Sequence, residues 1–229
     1  MNLKHTFLKI LVWKMRWMTR YFGFIARPFI AWYADQEIIA CGLRSEKGDV
    51  CIIYTPTPER TKHLFFKKEK KWTAVRVIAA KNFSGDLVHQ IILPDAQLNE
   101  TYIVEAKKKN KRHTLRSPTI TIKEKTHREP DLIKIKKLPD GRIHISWVGG
   151  EQYNPMIYFL VLEDDHGNAL AGIYTREYFW RYPSIKEASL SVGRNDPPLL
   201  QKDAHYTVKL AIVDFDGWVG CASKKVFTY

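Results

Sequence analysis

Acid–base or metal chemistry needs carboxylates, imidazoles or thiols brought to one place, and this 229-residue sequence offers few such groupings. Its densest carboxylates are Glu163, Asp164 and Asp165. They could act as a general acid and base or as calcium ligands. However, they run straight into His166-Gly167-Asn168, which reads as the polar tip of a hairpin, and calcium asks for roughly 6–8 oxygens. The eight histidines are dispersed, with no pair at the spacing that binds a metal on a helix. Cys41, Cys51 and Cys221 form no CxxC pair; the first two could meet across adjacent strands, but a small buried hydrophobe is the commoner fate of such residues. No phosphate-binding glycine loop, zinc spacing or GxSxG elbow is present. The sequence predicts no catalytic residue, metal, cofactor or small-molecule substrate.

Binding chemistry is better represented. Two basic runs place Lys67, Lys68, Lys70 and Lys71 at one expected strand-to-strand turn and Lys107, Lys108, Lys109, Lys111 and Arg112 at another. Such clusters hold nucleic-acid or lipid phosphates through counterion release. They equally serve as solvated loops that blunt strand edges. Aromatics able to stack on bases do not interleave with these lysines, which disfavours sequence-specific nucleic-acid reading. A third group, Tyr174, Arg176, Tyr178, Trp180 and Arg181, in one aromatic cluster with Phe179 and Tyr182, has the Tyr/Trp/Arg composition of binding hot spots, with the alternative that alternate members fill a core.

The formal charge of +13 is unevenly spread. Residues 1–34 hold six basic residues and no acid, 35–127 hold 18 Lys/Arg against 11 Asp/Glu, and 128–229 hold 13 of each. Attraction to phosphate is therefore expected of the N-terminal half. Within 1–34, His5, Lys9, Arg16, Arg20 and Arg27 share one helical arc and Leu3, Phe7, Ile10, Trp17, Met18, Tyr21 and Ile25 the opposite one. Basic residues interrupt every apolar run, so no uncharged stretch approaches the roughly 18–20 residues that span a bilayer. The segment reads as a basic amphipathic helix that Pro28 ends. Lys9, Trp13, Arg16, Trp17, Arg20 and Tyr21 are its candidate contacts with an anionic membrane surface or a partner. Docking of the same face on the protein's own sandwich, and a mitochondrial-type presequence, are the alternatives. The positive charge beside a membrane and the unpaired thiols favour a peripheral, cytoplasmic-side location.

The elements that must position these groups are strands. Hydrophobic residues at 45% and charged residues at 27% are ordinary globular values. From Gln36 onward, short β-branched and aromatic runs alternate with Gly, Pro, Asp and Asn. Strands are expected near 37–43, 50–55, 62–67, 72–79, 86–93, 101–107 and 117–123. The charged stretch Lys123–Asp131 then precedes a second set that includes 156–163, 169–175, 205–213 and 218–227. Ile143, Ile145 and Trp147 alternate with His144 and Ser146, the pattern of a half-buried strand. Asp140-Gly141, Asp165–Asn168 and Asp214–Gly217 supply turns.

Trp147 on the second strand, Tyr158 on the next, and Leu200 six residues before Tyr206 give this second part a resemblance to fibronectin type III domains. That resemblance implies a core tryptophan and a structural tyrosine corner, with Lys202 standing where proline is common. Leu98–Ala106 resembles the same family's sixth strand, with Ile53 or Tyr54 in place of the tryptophan and Ala96 in place of leucine; other immunoglobulin-like sandwiches fit this first part as well. The sequence thus predicts an all-β fold: residues 1–34 as helix, then two tandem antiparallel β-sandwiches over 35–127 and 128–229. A non-enzymatic interaction or scaffold protein is the expected function, attached to a membrane and bound to a protein partner within a larger assembly. A nucleic-acid-associated protein and an accessory or carbohydrate-binding module are the alternatives.

Overall fold

Strand faces here follow the alternation of apolar and polar residues, and where an apolar run is unbroken the strand is buried on both faces. The computed structural model describes residues 38–55, 61–68, 72–79, 88–108, 114–148, 151–192 and 197–229. The expected N-terminal helix lies outside them. The first strands are β1 (Ala40–Arg44), β2 (Val50–Tyr54), β3 (Thr61–Lys68), β4 (Trp72–Ala74), β5 (Ile78–Ala79), β6 (His89–Leu93), β7 (Thr101–Lys108), β8 (Thr114–Arg116) and β9 (Ile120–Thr121). They form an antiparallel sheet β1-β2-β6-β5 facing a sheet β4-β3-β7-β8, with β9 also on β7. Lettered in chain order, this is A-B-E-D against C′-C-F-G, the division of strands found in immunoglobulin-type sandwiches. Ile38, Ile52, Val104, Ile120 and Ile122 are fully buried between the sheets, beside Tyr54 and Tyr102.

The second set is β10 (His127–Arg128), β11 (Ile133–Lys137), β12 (Ile143–Trp147), a 3-10 turn (Glu151–Tyr153), β13 (Pro155–Glu163), β14 (Ala169–Thr175), β15 (Phe179–Tyr182), β16 (Leu190–Val192), β17 (His205–Asp214) and β18 (Val219–Thr228). Sheet β11-β12-β15 packs on sheet β10-β18-β17-β13-β14-β16, which is A-B-E against G-F-C-C′ with an extra strand at each edge. Trp147, Trp180, Leu160, Ile173 and Ile212 are buried in the second core. Trp147 meets Tyr158 edge-to-face at 5.2 Å.

The tyrosine corner is present in the second sandwich, and the first repeats its spacing with a carboxylate as relay. The Gln201 N–H donates to the Tyr206 hydroxyl at 2.8 Å, and Asp203 between them is left-handed at φ 62°. Gln97, Asn99 (φ 65°) and Tyr102 repeat that spacing in the first sandwich, but there Glu100 stands between the partners. Its Oε2 accepts the Gln97 N–H at 2.9 Å and the Tyr102 hydroxyl at 2.6 Å, and its carboxylate also pairs with Lys67. Burial pulls the Glu100 pKa upward, but the hydrogen bonds from Gln97, Lys67 and Tyr102 outweigh it and hold the carboxyl below its usual 4.5. A carboxyl depressed on folding stabilises the fold above its unfolded value and ceases to do so as pH falls through the folded one. Glu100→Gln should therefore remove part of the stability lost on acidification below 4.5, giving a shallower acid limb in unfolding against pH. An unchanged limb would show that the relay adds nothing.

The segment joining the two cores is stitched down rather than free. Both cores lie in one compact unit, Glu37–Tyr229. Trp218, at the head of β18, is fully buried in the first core, and its indole N–H donates to the Lys125 carbonyl at 2.9 Å. The Gly42 N–H donates to the Gly217 carbonyl at 2.9 Å, and the Thr121 N–H to the Asp216 carbonyl at 2.9 Å. Lys123 Nζ reaches Asp214 at 2.6 Å and Asp216 at 2.8 Å. The closeness explains both glycines. A Cβ on Gly42 would meet Ile120 at 2.7 Å and Trp218 at 2.8 Å; Gly217, at φ 70°, would press one against the Thr119 carbonyl at 2.7 Å.

Three expectations about the strands need correction. The strand expected over 72–79 is two: β4 pairs with β3 and β5 with β6, so the chain changes sheets at Val75–Val77. The strand expected over 117–123 breaks at Pro118, which has no N–H to give; Ser117 Oγ accepts the Val104 N–H at 2.9 Å instead. Phe179–Tyr182, taken in the sequence only as an aromatic cluster, is strand β15. Cys41 lies opposite Ile53 and Cys51 opposite Leu43, two positions out of register, and all three cysteines are free and buried. Burial, with the charge of Asp214 behind it, pushes the Cys41 thiol up to about 12, so it is inert near neutral pH.

Candidate protein-interaction face

In β12, Ile143, Ile145 and Trp147 point into the core and His144 and Ser146 outward. β15 continues the alternation, with Trp180 and Tyr182 inside and Phe179 and Arg181 outside. β11 adds Lys134 and Lys136, both exposed. The register aligns these outward residues in rows across the three strands. Lys134, Ser146 and Phe179 make one row; Lys136, His144 and Arg181 make the next. His144 and Phe179 stack at 5.5 Å with 16° between ring planes, and the Arg181 guanidinium lies over the Phe179 ring at 4.9 Å. The end of the face is Tyr178, 45% exposed, and Val148, 57% exposed; the Tyr178 carbonyl accepts the Trp147 N–H at 3.2 Å. Glu187 approaches Arg181 at 3.7 Å.

This arrangement sorts the five residues the sequence nominated. Tyr178 and Arg181 belong to the exposed face. Arg176 lies in the same turn as Tyr178, half-buried, and burial pulls its pKa below the usual guanidinium value. Tyr174 and Trp180 are buried and present no surface: Trp180 fills the sandwich core and gives its indole N–H to the Ser184 carbonyl at 2.7 Å, while Tyr174 stacks on Phe159 at 4.3 Å. The period of two in β15 turns Trp180 inward, whereas β14 is buried on both faces from Ala171 to Thr175 and Tyr174 is covered by its stack on Phe159. Phe179, a member of the aromatic cluster, joins the face, and His144, Lys134 and Lys136 are additions that the sequence reading does not single out. The signal for His144 is its place on the polar side of the alternation.

The lysine runs do not combine. β3 and β7 are antiparallel with Lys68 opposite Thr101 and Thr61 opposite Lys108, so Lys67–Lys68 and Lys107–Lys108 occupy opposite ends of the pair, about 24 Å apart at ~3.4 Å per residue. Lys67 is half-buried and paired with Glu100, and Lys68 is exposed. Lys70, Lys71, Lys109, Lys111 and Arg112 lie outside the described residues, as do Lys9, Trp13, Arg16, Trp17, Arg20 and Tyr21. The carboxylate cluster is structural. Glu163 is buried with Lys209 Nζ at 2.7 Å, and Asp164 accepts the backbone N–H groups of His166 at 3.0 Å and Asn168 at 2.7 Å. Among the described residues no group of three His, Cys, Asp or Glu is placed to hold a metal ion. Nor, among those residues, is any helix long and apolar enough to cross a membrane.

No family model matches the sequence, and no curated protein does. Solved structures are similar to it, two of them as follows. The crystal structure of chicken CNTN1 FN1-FN3 domains is 13% identical, with a TM-score of 0.32, covering 82% of this chain and 65% of that one. The crystal structure of the mouse nectin-like molecule 4 full ectodomain (Ig1-Ig3) is 10% identical, with a TM-score of 0.26, covering 85% of this chain and 63% of that one. The chain spans less than two thirds of the length of either. These neighbours are fibronectin type III and immunoglobulin-like domain structures. The all-β sandwich assignment rests on the strand order, the core tryptophan and the tyrosine corner at Tyr206.

Proposed function

We propose that this chain is a non-enzymatic interaction or scaffold protein, which meets a protein partner through the outer face of β11-β12-β15 and attaches to an anionic membrane surface or membrane complex through residues 1–34. The supporting observation is the outward grouping of exposed Tyr178 and Arg181 with half-exposed Phe179, while the neighbouring rings Trp147, Trp180, Tyr174 and Tyr182 are spent on packing. Tyr and Arg supply buried area with a polar handle, which is what anchors interfaces. The membrane half of the reading rests on the amphipathic, acid-free sequence of 1–34. Separation of the lysine runs by the length of β7 argues against one continuous phosphate-binding track.

The test has two arms, both on the full chain. A photo-reactive residue at position 178 should cross-link a protein partner in an extract of the source cells, while the same residue at Val226, exposed on the opposite sheet, should not. In co-sedimentation, the chain should pellet with anionic but not neutral vesicles at low salt, and Trp13→Ala/Trp17→Ala with Lys9→Glu/Arg16→Glu should lose about tenfold in vesicle affinity. Equal cross-linking at both positions removes the first half; indifference to vesicle charge or to the substitutions removes the second.

A further inference from the structure

We propose that the outer face of β11-β12-β15 recognises an extended acidic segment of a protein, with carboxylates at alternate residues. This names the partner chemistry of the interaction reading above and rests on it.

Residues 128–229 carry 13 basic and 13 acidic residues, so nothing in their net charge marks a basic site. The fold segregates the charges. Lys134, Lys136, His144 and Arg181 project from one face, and Glu187 at its border, 3.7 Å from Arg181, is the acid that approaches them. Neither Lys134 nor Lys136 has an ion-pair partner among the described residues. Lys136 and Arg181 flank His144 on neighbouring strands. The two cations therefore lie two strand spacings apart on the same side of the sheet, about 9.6 Å at ~4.8 Å per strand.

The spacing suits a peptide. Lys134 and Lys136 are two residues apart on one strand, about 6.8 Å at ~3.4 Å per residue, the same interval that separates alternate side chains of an extended ligand lying parallel to them. Arg181 is held over the Phe179 ring, and a guanidinium stacked on an aromatic keeps its in-plane N–H groups for a carboxylate while losing less freedom on binding. The ring chemistry argues against nucleic acid. Phe179 already engages both His144 and Arg181, whereas stacking platforms for bases keep ring faces open.

The experiment measures anisotropy of a fluorescein-labelled nine-residue peptide of alternating Glu and Val on the full chain. Its comparators are the Gln/Val peptide and a labelled oligo-dT. The Glu peptide should bind at least about tenfold more tightly than the Gln peptide. Lys136→Glu and Arg181→Glu should each weaken it about tenfold, Phe179→Ala should weaken it severalfold, and Lys136→Arg should hold it within about twofold. Lys202→Glu, at an exposed position on the loop before β17, makes the same change in net charge and should leave binding within about twofold. The proposal is overturned by equal affinity for the two peptides, by equal loss in Lys202→Glu, or by tighter oligo-dT binding with the same sensitivity to Lys136 and Arg181. Failure here with a specific cross-link from position 178 intact rejects the acidic ligand and keeps the interaction reading; loss of both rejects both.

Discussion

Trp218→Ala should lower the stability of the protein by about 3–5 kcal/mol, the range for truncating a large buried aromatic. The effect should appear chiefly in the sandwich that does not contain the residue in its own strands. Trp218 belongs to the turn between β17 and β18, yet its ring completes the core formed by Ile38, Ile52, Val104 and Ile120, and its indole N–H is bound to the Lys125 carbonyl. Alanine leaves a cavity in the first core and an unpaired carbonyl at the junction. Chemical unfolding should show the loss, and amide exchange should show protection falling at Ile52 and Val104. If protection falls only in β13, β17 and β18, the tryptophan does not support the first core as the packing implies.

Asp214→Ala should be nearly as costly, about 3 kcal/mol, through polar rather than apolar loss. Asp214 is almost wholly buried. One carboxylate oxygen accepts the Asp216 N–H at 2.9 Å and the Trp218 N–H at 3.0 Å, while the other takes the Lys123 ammonium at 2.6 Å. Alanine strands two backbone donors in the turn that delivers Trp218. Asp214→Asn separates the parts, because an amide oxygen can still accept the turn's N–H groups but cannot neutralise Lys123. Asn should therefore recover most of the stability, with the remainder dependent on salt. An asparagine variant as unstable as the alanine one would assign the effect to the ion pair instead.

Much of the fold could be read in the sequence because it depends on short-range rules. The alternation at Ile143–Trp147, the Asp-Gly and His-Gly-Asn turns, and the six-residue step from Leu200 to Tyr206 are each local, and each has the expected structure. Pairing across distance was not legible. Nothing near position 218 announces that its ring enters a core built around residues 38–122, because that placement depends on how two sandwiches abut. The candidate face was half legible for the same reason. Tyr178 and Arg181 were visible by type, but only the register of β11, β12 and β15 brings Lys136 and His144 beside them. Tyr174 and Trp180 belong to the group by composition alone: the period of β15 turns Trp180 into the core, and the stack on Phe159 covers Tyr174.

The borrowing of Trp218 also orders events in time. A chain emerges from the ribosome N-terminus first, at roughly 5–20 residues per second. Residue 122 closes the first sandwich's own contribution to its core, and residue 218 follows 96 residues later, a delay of roughly 5–20 s. Over that interval a nascent first sandwich lacks the indole that shares the finished core with Ile120. The first half of this protein is made early and finished late.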